Sequence, residues 1–314
     1  MNNWIKRYQK NKMILEKNHL YNVKDEHDAC GVGFVASIDG SQRREVVEGG
    51  IDALKAVWHR GAVDADGKTG DGAGILTQIP NNFFEDEIAK TGHQKRNGPL
   101  GIGMMFLPRN DYSALEKCRT IIESELLDHG YYIYGWRQVP INNSVIGDKA
   151  NSTRPEIEQV MFVNNLEREN NFDFAKELYL IRRRLEKRIQ KQQISDFYVC
   201  SLSFDSIIYK GLFLAEQLSI FYPDLANKNF TSSYALFHQR YSTNTFPSWG
   251  LAQPFRMLAH NGEINTISGN TNWMRNHQTR IAGEIFGKDS EQVKPIIEKN
   301  VSDSAALDAA FELY

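Results

Sequence analysis

The chain has 314 residues, 41% hydrophobic and 24% charged, an ordinary globular composition with length enough for one large core or two moderate ones. A formal net charge of -2 offers no large single-sign field for nucleic acid or an anionic membrane, so a small-molecule substrate is the default. Three cysteines, Cys30, Cys118 and Cys200, without CxxC spacing argue against a disulfide framework, a zinc site or an iron–sulfur cluster and point to a reducing compartment, the cytoplasm.

No apolar run approaches the roughly 20 residues that a membrane-spanning helix needs. The first 29 residues lack an apolar core for a signal peptide, and Glu16, Asp25, Glu26 and Asp28 make them too acidic for a transit peptide. Val32, Phe34, Ala36 and Ile38 alternate with smaller residues, which predicts a strand beginning at or near Cys30. Ile51, Leu54, Val57 and Trp58 recur at helical spacing, predicting a helix over roughly 48–60, and a strand is expected near 75–79. A buried strand is predicted over 102–107. A helix with Leu115, Cys118, Ile121, Ile122 and Leu126 on one face is predicted to end at Gly130.

Aromatic strands are expected at 131–139 and 159–163, separated by a polar loop. Phe174, Leu178, Ile181, Leu185 and Ile189 mark an amphipathic helix whose Arg182, Arg183, Arg184, Lys187 and Arg188 read as a solvated face. Strands fit 196–204, 206–213 and 233–241, with helices near 214–220 and 269–282. A last helix starts at Ser302 or Asp303, both good N-cap types, and reads as running on to Tyr314, which marks the chain as a piece of a longer one. Strands and helices come in runs without strict βαβ alternation, so a layered α+β fold is expected.

Three segments concentrate chemistry. Cys30 stands in HDACGVGF, with glycines leaving backbone room beside the thiol; Cys118 and Cys200 read as small buried hydrophobes. The stretch from His238 to Asn270 is a long loop dense in hydrogen-bonding side chains, a length uncommon without a function. In it Arg240 offers a planar fork suited to a carboxylate, and Asn261 followed by Gly262 offers a side-chain amide and an unobstructed backbone N–H, the donor pair of an oxyanion hole. HRGAVDADGKTGDGAG, with Asp64, Asp66 and Asp71, invites a calcium reading but lacks the glycine and the bidentate glutamate at the required spacings. No metal site is expected.

DEHDACGVGF, HRGAVDADGKTGDGAGIL, HQRYSTNTFPSWGLAQPFRMLAHNGEINT and SDSAALD, in this order, resemble the N-terminal class II glutamine amidotransferase domain of the glutamate synthase large chain. The resemblance implies the four-layer αββα sandwich of N-terminal-nucleophile hydrolases. It also implies a propeptide over 1–29, an amidotransferase domain over 30–314, and Cys30 as the nucleophile. On the same basis Arg240 would bind the α-carboxylate of L-glutamine, with Thr243 and Asn244 lining that pocket. Asp303 would take the α-ammonium, Asn261 and Gly262 would form the oxyanion hole, and Arg60 would lie near the nucleophile.

No cofactor is expected in this chain. The resemblance implies FMN, an iron–sulfur cluster and a 2-oxoglutarate site in synthase domains, of the same polypeptide or a separate subunit, that the sequence does not contain. Two alternatives stay open: the glutaminase domain of another class II enzyme, such as an amidophosphoribosyltransferase or a glucosamine-phosphate synthase, and a non-catalytic, unprocessed module. FPSWGLAQPFR argues against the first.

Overall fold

A computed structural model describes residues 3–18, 22, 24, 30–166, 173–240, 246–299 and 301–314. The segments 1–30 and 31–314 form two separate compact units. The first contains helix α1 (Asn3–Asn18), mostly polar and exposed over the described side chains.

The second unit runs β1 (Val32–Ala36), α2 (Arg44–Ala56), β2 (Ala73–Gln78), α3 (Asn81–Lys90), β3 (Leu100–Leu107), α4 (Tyr112–Asp128), β4 (Tyr131–Gln138), α5 (Asp148–Ser152) and β5 (Glu156–Asn164). It continues with α6 (Phe174–Lys191), β6 (Tyr198–Ser203), β7 (Ser206–Gly211), α7 (Leu218–Phe221), β8 (Tyr234–Gln239), α8 (Ile267–Phe286), α9 (Ser290–Val293) and α10 (Asp303–Phe311). The strands form two four-stranded sheets, ordered β1-β8-β2-β7 and β4-β5-β3-β6. Every pairing is antiparallel. This is the α+β fold with two antiparallel sheets expected for an N-terminal-nucleophile hydrolase type.

Period-two alternation sorts the second sheet. Ile102, Met104 and Phe106 enter a core shared with Ile75, Tyr209 and Phe237 of the first sheet. Met105 and Leu107, offset by one residue, pack with Val160, Phe162 and Val199 against Leu115, Ile122, Leu178 and Leu185 of α4 and α6. Helix α2 lies on β8 and β1. A buried polar knot closes the core: Arg137 donates from Nη1 and Nη2 to Asp224 at 2.7 Å each, and Tyr209 donates its hydroxyl to Asp224 at 2.9 Å. The bidentate geometry satisfies both charges, as burial demands.

Several boundaries move. The helix expected over 48–60 begins at Arg44 and ends at Ala56, followed by a 3₁₀ turn over Trp58–Arg60. The helix expected at 214–220 shrinks to Leu218–Phe221, because the Gln217 carboxamide turns the preceding chain by accepting from the Leu214 N–H and donating to the Lys68 and Val145 carbonyls. The short helices α3 and α5 carry no periodic signal long enough to read.

Two expectations fail outright. The basic run on α6 is no solvated face: Arg182 and Arg183 are buried. They pair with Glu186, Glu312 and Glu298, so acidic residues remote in sequence make burial of these guanidinium groups affordable. The last helix stops at Phe311, with Glu312 held by Arg182 and Arg256.

Candidate active site

Strand β8 is central in the first sheet, and the site gathers at its C-terminal end. The Gln239 N–H donates to the Gly31 carbonyl at 2.5 Å, and the Arg240 N–H donates to the Gly72 carbonyl at 3.0 Å. Consecutive amides of β8 thus reach the chain flanking β1 on one side and the chain flanking β2 on the other, as a central strand requires. This grip holds Arg240 at φ 108°, a conformation that L-residues rarely adopt and that recurs at functional sites. Its side chain is exposed. Thr243 and Asn244, expected in the same pocket, lie outside the described residues.

Gly31 follows Cys30 directly in the chain. A Cβ at Gly31 would overlap the Gln239 carbonyl oxygen and would lie 3.3 Å from Asn261 Nδ2. The absence of a side chain therefore allows β1 to close on β8 and brings the Asn261 amide beside the backbone that follows the thiol residue. Gly61, in the HRG motif, is required for a similar reason: a Cβ there would overlap the Gln239 carboxamide. Arg60, in the 3₁₀ turn before it, is half-buried with its Nε unpaired.

The loop bearing Asn261 and Gly262 is strung between two anchors. The Gln253 carboxamide, 1% exposed, accepts from the His260 N–H at 2.8 Å and donates to the His260 carbonyl at 2.9 Å. Its side chain thereby mimics a neighbouring strand. His260 Nδ1 also meets Ser304 Oγ at 2.8 Å. On the far side, Asp303 Oδ2 accepts from the Ile264 N–H at 2.9 Å, and its Oδ1 accepts from the Ser304 N–H at 2.7 Å. Ser302, the N-cap of α10, accepts from the Ala305 N–H at 3.1 Å. Asp303 is 3% exposed and ties the Asn261 loop to the start of α10, a structural task beyond the ligand role expected of it.

The three cysteines separate cleanly. Cys30 is exposed, whereas Cys118 and Cys200 are buried, where burial pushes both thiols up to about 12 and leaves them unreactive at neutral pH. His238 and Gln239 occupy opposite faces of β8 and are 1% and 0% exposed. Neither ring nitrogen of His238 and neither polar atom of the Gln239 carboxamide makes a normal hydrogen bond, and burial pushes His238 down to about 4. Trp249 of the FPSWG segment packs on Phe106 and Phe213 and donates to the Ala150 carbonyl at 3.1 Å, fixing this loop to the second sheet.

The structure thus brings together Gly31, Arg60, Gln239, Arg240, Asn261, Gly262 and Asp303 around one strand end. It adds Gln253, His260 and Ser304, which motif chemistry alone did not single out. The rejected calcium loop is a hydrogen-bonded turn: Asp66 accepts from the Lys68 and Thr69 N–H groups at 3.0 and 2.7 Å. Among the described residues, no group of three or more His, Cys, Asp or Glu side chains is placed to hold a metal. No described helix is long and apolar enough to cross a membrane.

Residues 30–314 match the family model of class-II glutamine amidotransferases. The chain is 59% identical over 306 residues to the glutamate synthase [NADPH] large chain of Azospirillum brasilense, covering 98% of this chain and 20% of that one. It is 41% identical to the Bacillus subtilis glutamate synthase [NADPH] large chain, with 94% and 19% covered. It is also 41% identical to the chloroplastic ferredoxin-dependent glutamate synthase of Spinacia oleracea, with 94% and 18% covered. The chain therefore spans about a fifth of the length of these relatives. With the motif residues converging on one strand end and the family match running from Cys30 to Tyr314, the chain belongs to the class-II glutamine amidotransferases.

Proposed function

We propose that this chain is the glutaminase part of a glutamate synthase: it hydrolyses the side-chain amide of L-glutamine through the Cys30 thiol and supplies ammonia to a synthase site elsewhere. The observation that carries this reading is the Asn261 amide 3.3 Å from the position of a Cβ on Gly31, the residue peptide-bonded to Cys30. An oxyanion formed on attack by Cys30 would meet the Asn261 side-chain amide and the Gly262 N–H. Arg240, presented at the end of β8, would receive the α-carboxylate through its planar fork, with Thr243 and Asn244 beside it. Asp303 would receive the α-ammonium on its carboxylate, and Arg60 would add positive charge near the thiol.

The base in this scheme is the α-amine of Cys30 itself. A free α-amine has a reference pKa of about 7.7–8.0 and can take the thiol proton at neutral pH, whereas an amide nitrogen cannot. Residues 1–29 are therefore a propeptide whose removal switches the enzyme on; the start of the family match at Cys30 supports this boundary. Thiolate attack gives a tetrahedral adduct that collapses to a thioester with release of ammonia, and water then releases glutamate. The chain's three cysteines are too few for a cluster with four thiolate ligands. FMN and an iron–sulfur cluster would belong to synthase domains in the same polypeptide or a partner subunit, and the cytoplasm is the compartment that fits.

The test combines intact mass with a labelled assay. Active protein should begin at Cys30 and turn glutamine into equal amounts of glutamate and ammonia. Cys30→Ala should abolish this, while Cys118→Ala and Cys200→Ala retain it. Amide-labelled nitrogen should remain ammonia when 2-oxoglutarate and a reductant are added. Active protein that still begins at Met1, or label in newly made glutamate, overturns the scheme.

A further inference from the structure

A second cleft, of about 510 Å³, opens between the end of β3, the segment following α5 and the FPSWG loop; it is lined by Arg109, Asn110, Ser152, Arg154, Ser248 and Trp249 among others. Its two arginines are unusual in this chain. The half-buried or buried arginines Arg44, Arg119, Arg137, Arg182, Arg183, Arg184, Arg188 and Arg256 all pair with a carboxylate. Among the described residues, those that do not are Arg60, already placed in the candidate active site, and Arg109 and Arg154.

Neutral acceptors hold the pair in place, and neither arginine makes an ion pair with a described carboxylate, although Asp196 also lines the cleft. Asn151 Oδ1 accepts from Arg109 Nη1 at 3.5 Å and from Arg154 Nε at 3.4 Å. Arg109 Nη2 reaches the Ser152 carbonyl at 3.5 Å, and Arg154 Nη1 reaches the Pro155 carbonyl at 3.1 Å. Each guanidinium carries five N–H donors, so most remain available. The nearest carboxylate in sequence, Glu156, accepts from Gln138 Nε2 at 2.6 Å. Burial first and the positive charge of Arg109 second lower the pKa of Arg154, and the Glu156 carboxylate opposes them without reversing the direction. The cleft volume falls in the range of small-molecule sites.

We propose that the Arg109–Arg154 cleft is an anion-binding site, distinct from the candidate glutamine site, that takes a small carboxylate or phosphate group across the two guanidinium forks. The planar forks favour a bidentate oxyanion over a monovalent halide, and Trp249, Phe106 and Tyr198 on the cleft wall suit a ligand with an apolar body. Its wall includes Pro247, Ser248 and Gly250 of the FPSWG loop, which lies between Arg240 and Asn261 in the chain, so an occupant would brace the loop that carries the glutamine site.

Calorimetric titration of the full chain with inorganic phosphate and, separately, with glutarate tests this, with chloride holding ionic strength constant. One of the two should bind saturably at a single site, and which one does identifies the ligand class. Arg109→Gln and Arg154→Gln should each weaken binding at least tenfold, the double variant should abolish it, and Arg240→Lys should leave it unchanged. Arg109→Lys and Arg154→Lys, which keep the charge for folding but lose the fork, should fall between. Absence of saturable binding by both anions, binding that persists in the double variant, or binding lost in Arg240→Lys would overturn the proposal.

Discussion

Truncating Gln253 tests whether the oxyanion donors are positioned by the fold. Gln253→Ala removes two hydrogen bonds of 2.8 and 2.9 Å to one residue, His260. A hydrogen bond contributes about 0.5–1.5 kcal/mol net, and an orphaned buried partner costs about 1–3 kcal/mol; since His260 is only half-buried, water recovers part of the loss. Global stability should therefore fall by about 1–3 kcal/mol. The kinetic effect should be selective. Asn261 follows His260 directly and would lose one of its loop's two anchors, while Arg240 stays gripped by the sheet through Gly72. Because deleting one oxyanion donor outright costs roughly 10²–10³-fold in turnover, loosening it should cost roughly 10–100-fold in kcat, with KM changed less than about threefold. Gln253→Glu keeps the acceptor for the His260 N–H but sets a carboxylate against the His260 carbonyl, and should fall between. Glutamate release measured over a glutamine series, beside urea unfolding of the same variants, decides the matter. A stability loss with unchanged kcat, or a raised KM with unchanged kcat, would refute the anchoring argument.

Other substitutions probe the same site. Gly31→Ala drives a Cβ into the Gln239 carbonyl and toward Asn261; a stability loss of about 1–3 kcal/mol with near-complete loss of glutaminase activity is expected, and a wild-type urea midpoint and rate would contradict the close approach. Arg240→Lys should chiefly weaken glutamine binding, since the fork is lost and the charge kept, whereas Asn261→Ala should depress kcat by roughly 10²–10³-fold; steady-state kinetics showing the reverse pattern would exchange or remove these roles. His238 sets a pH limit. Its folded pKa of about 4 lies below the unfolded value of about 6.5, so as pH falls between these values the unfolded chain takes up a proton that the folded one refuses. Stability should then drop by about 1.4 kcal/mol per pH unit from this residue, and by about 3 kcal/mol in all. His238→Gln should flatten that part of the stability profile in urea melts at pH 4–7; an unchanged slope would show that the imidazole is not held neutral.

Sequence by itself determined the strands at 102–107 and 131–139 and the helix with Leu115, Cys118 and Leu126 on one face, because the first is a continuous apolar run buried on both faces, the second is rich in aromatic residues, and the helix repeats its apolar residues at helical spacing. It also determined which residues could do chemistry: a cysteine before glycines, an arginine at a strand end and an Asn-Gly pair are legible as donor and nucleophile types wherever they fall. Tertiary structure alone decided the rest. The arginines of α6 read as a solvated face because their partners Glu298 and Glu312 stand more than a hundred residues away, beyond any local pattern. Gln253 is silent in sequence, seven residues from the backbone it clamps, because its role depends on a loop folding back to present both His260 groups to one carboxamide. Gly31, Gly61 and Gln239 carry no common signal either. Only strand pairing, which sets Gln239 against Gly31 and packs Gly61 on the Gln239 side chain, converts three separate motifs into one site, since contact between segments far apart in the chain is fixed by sheet order and register and not by any period within a segment.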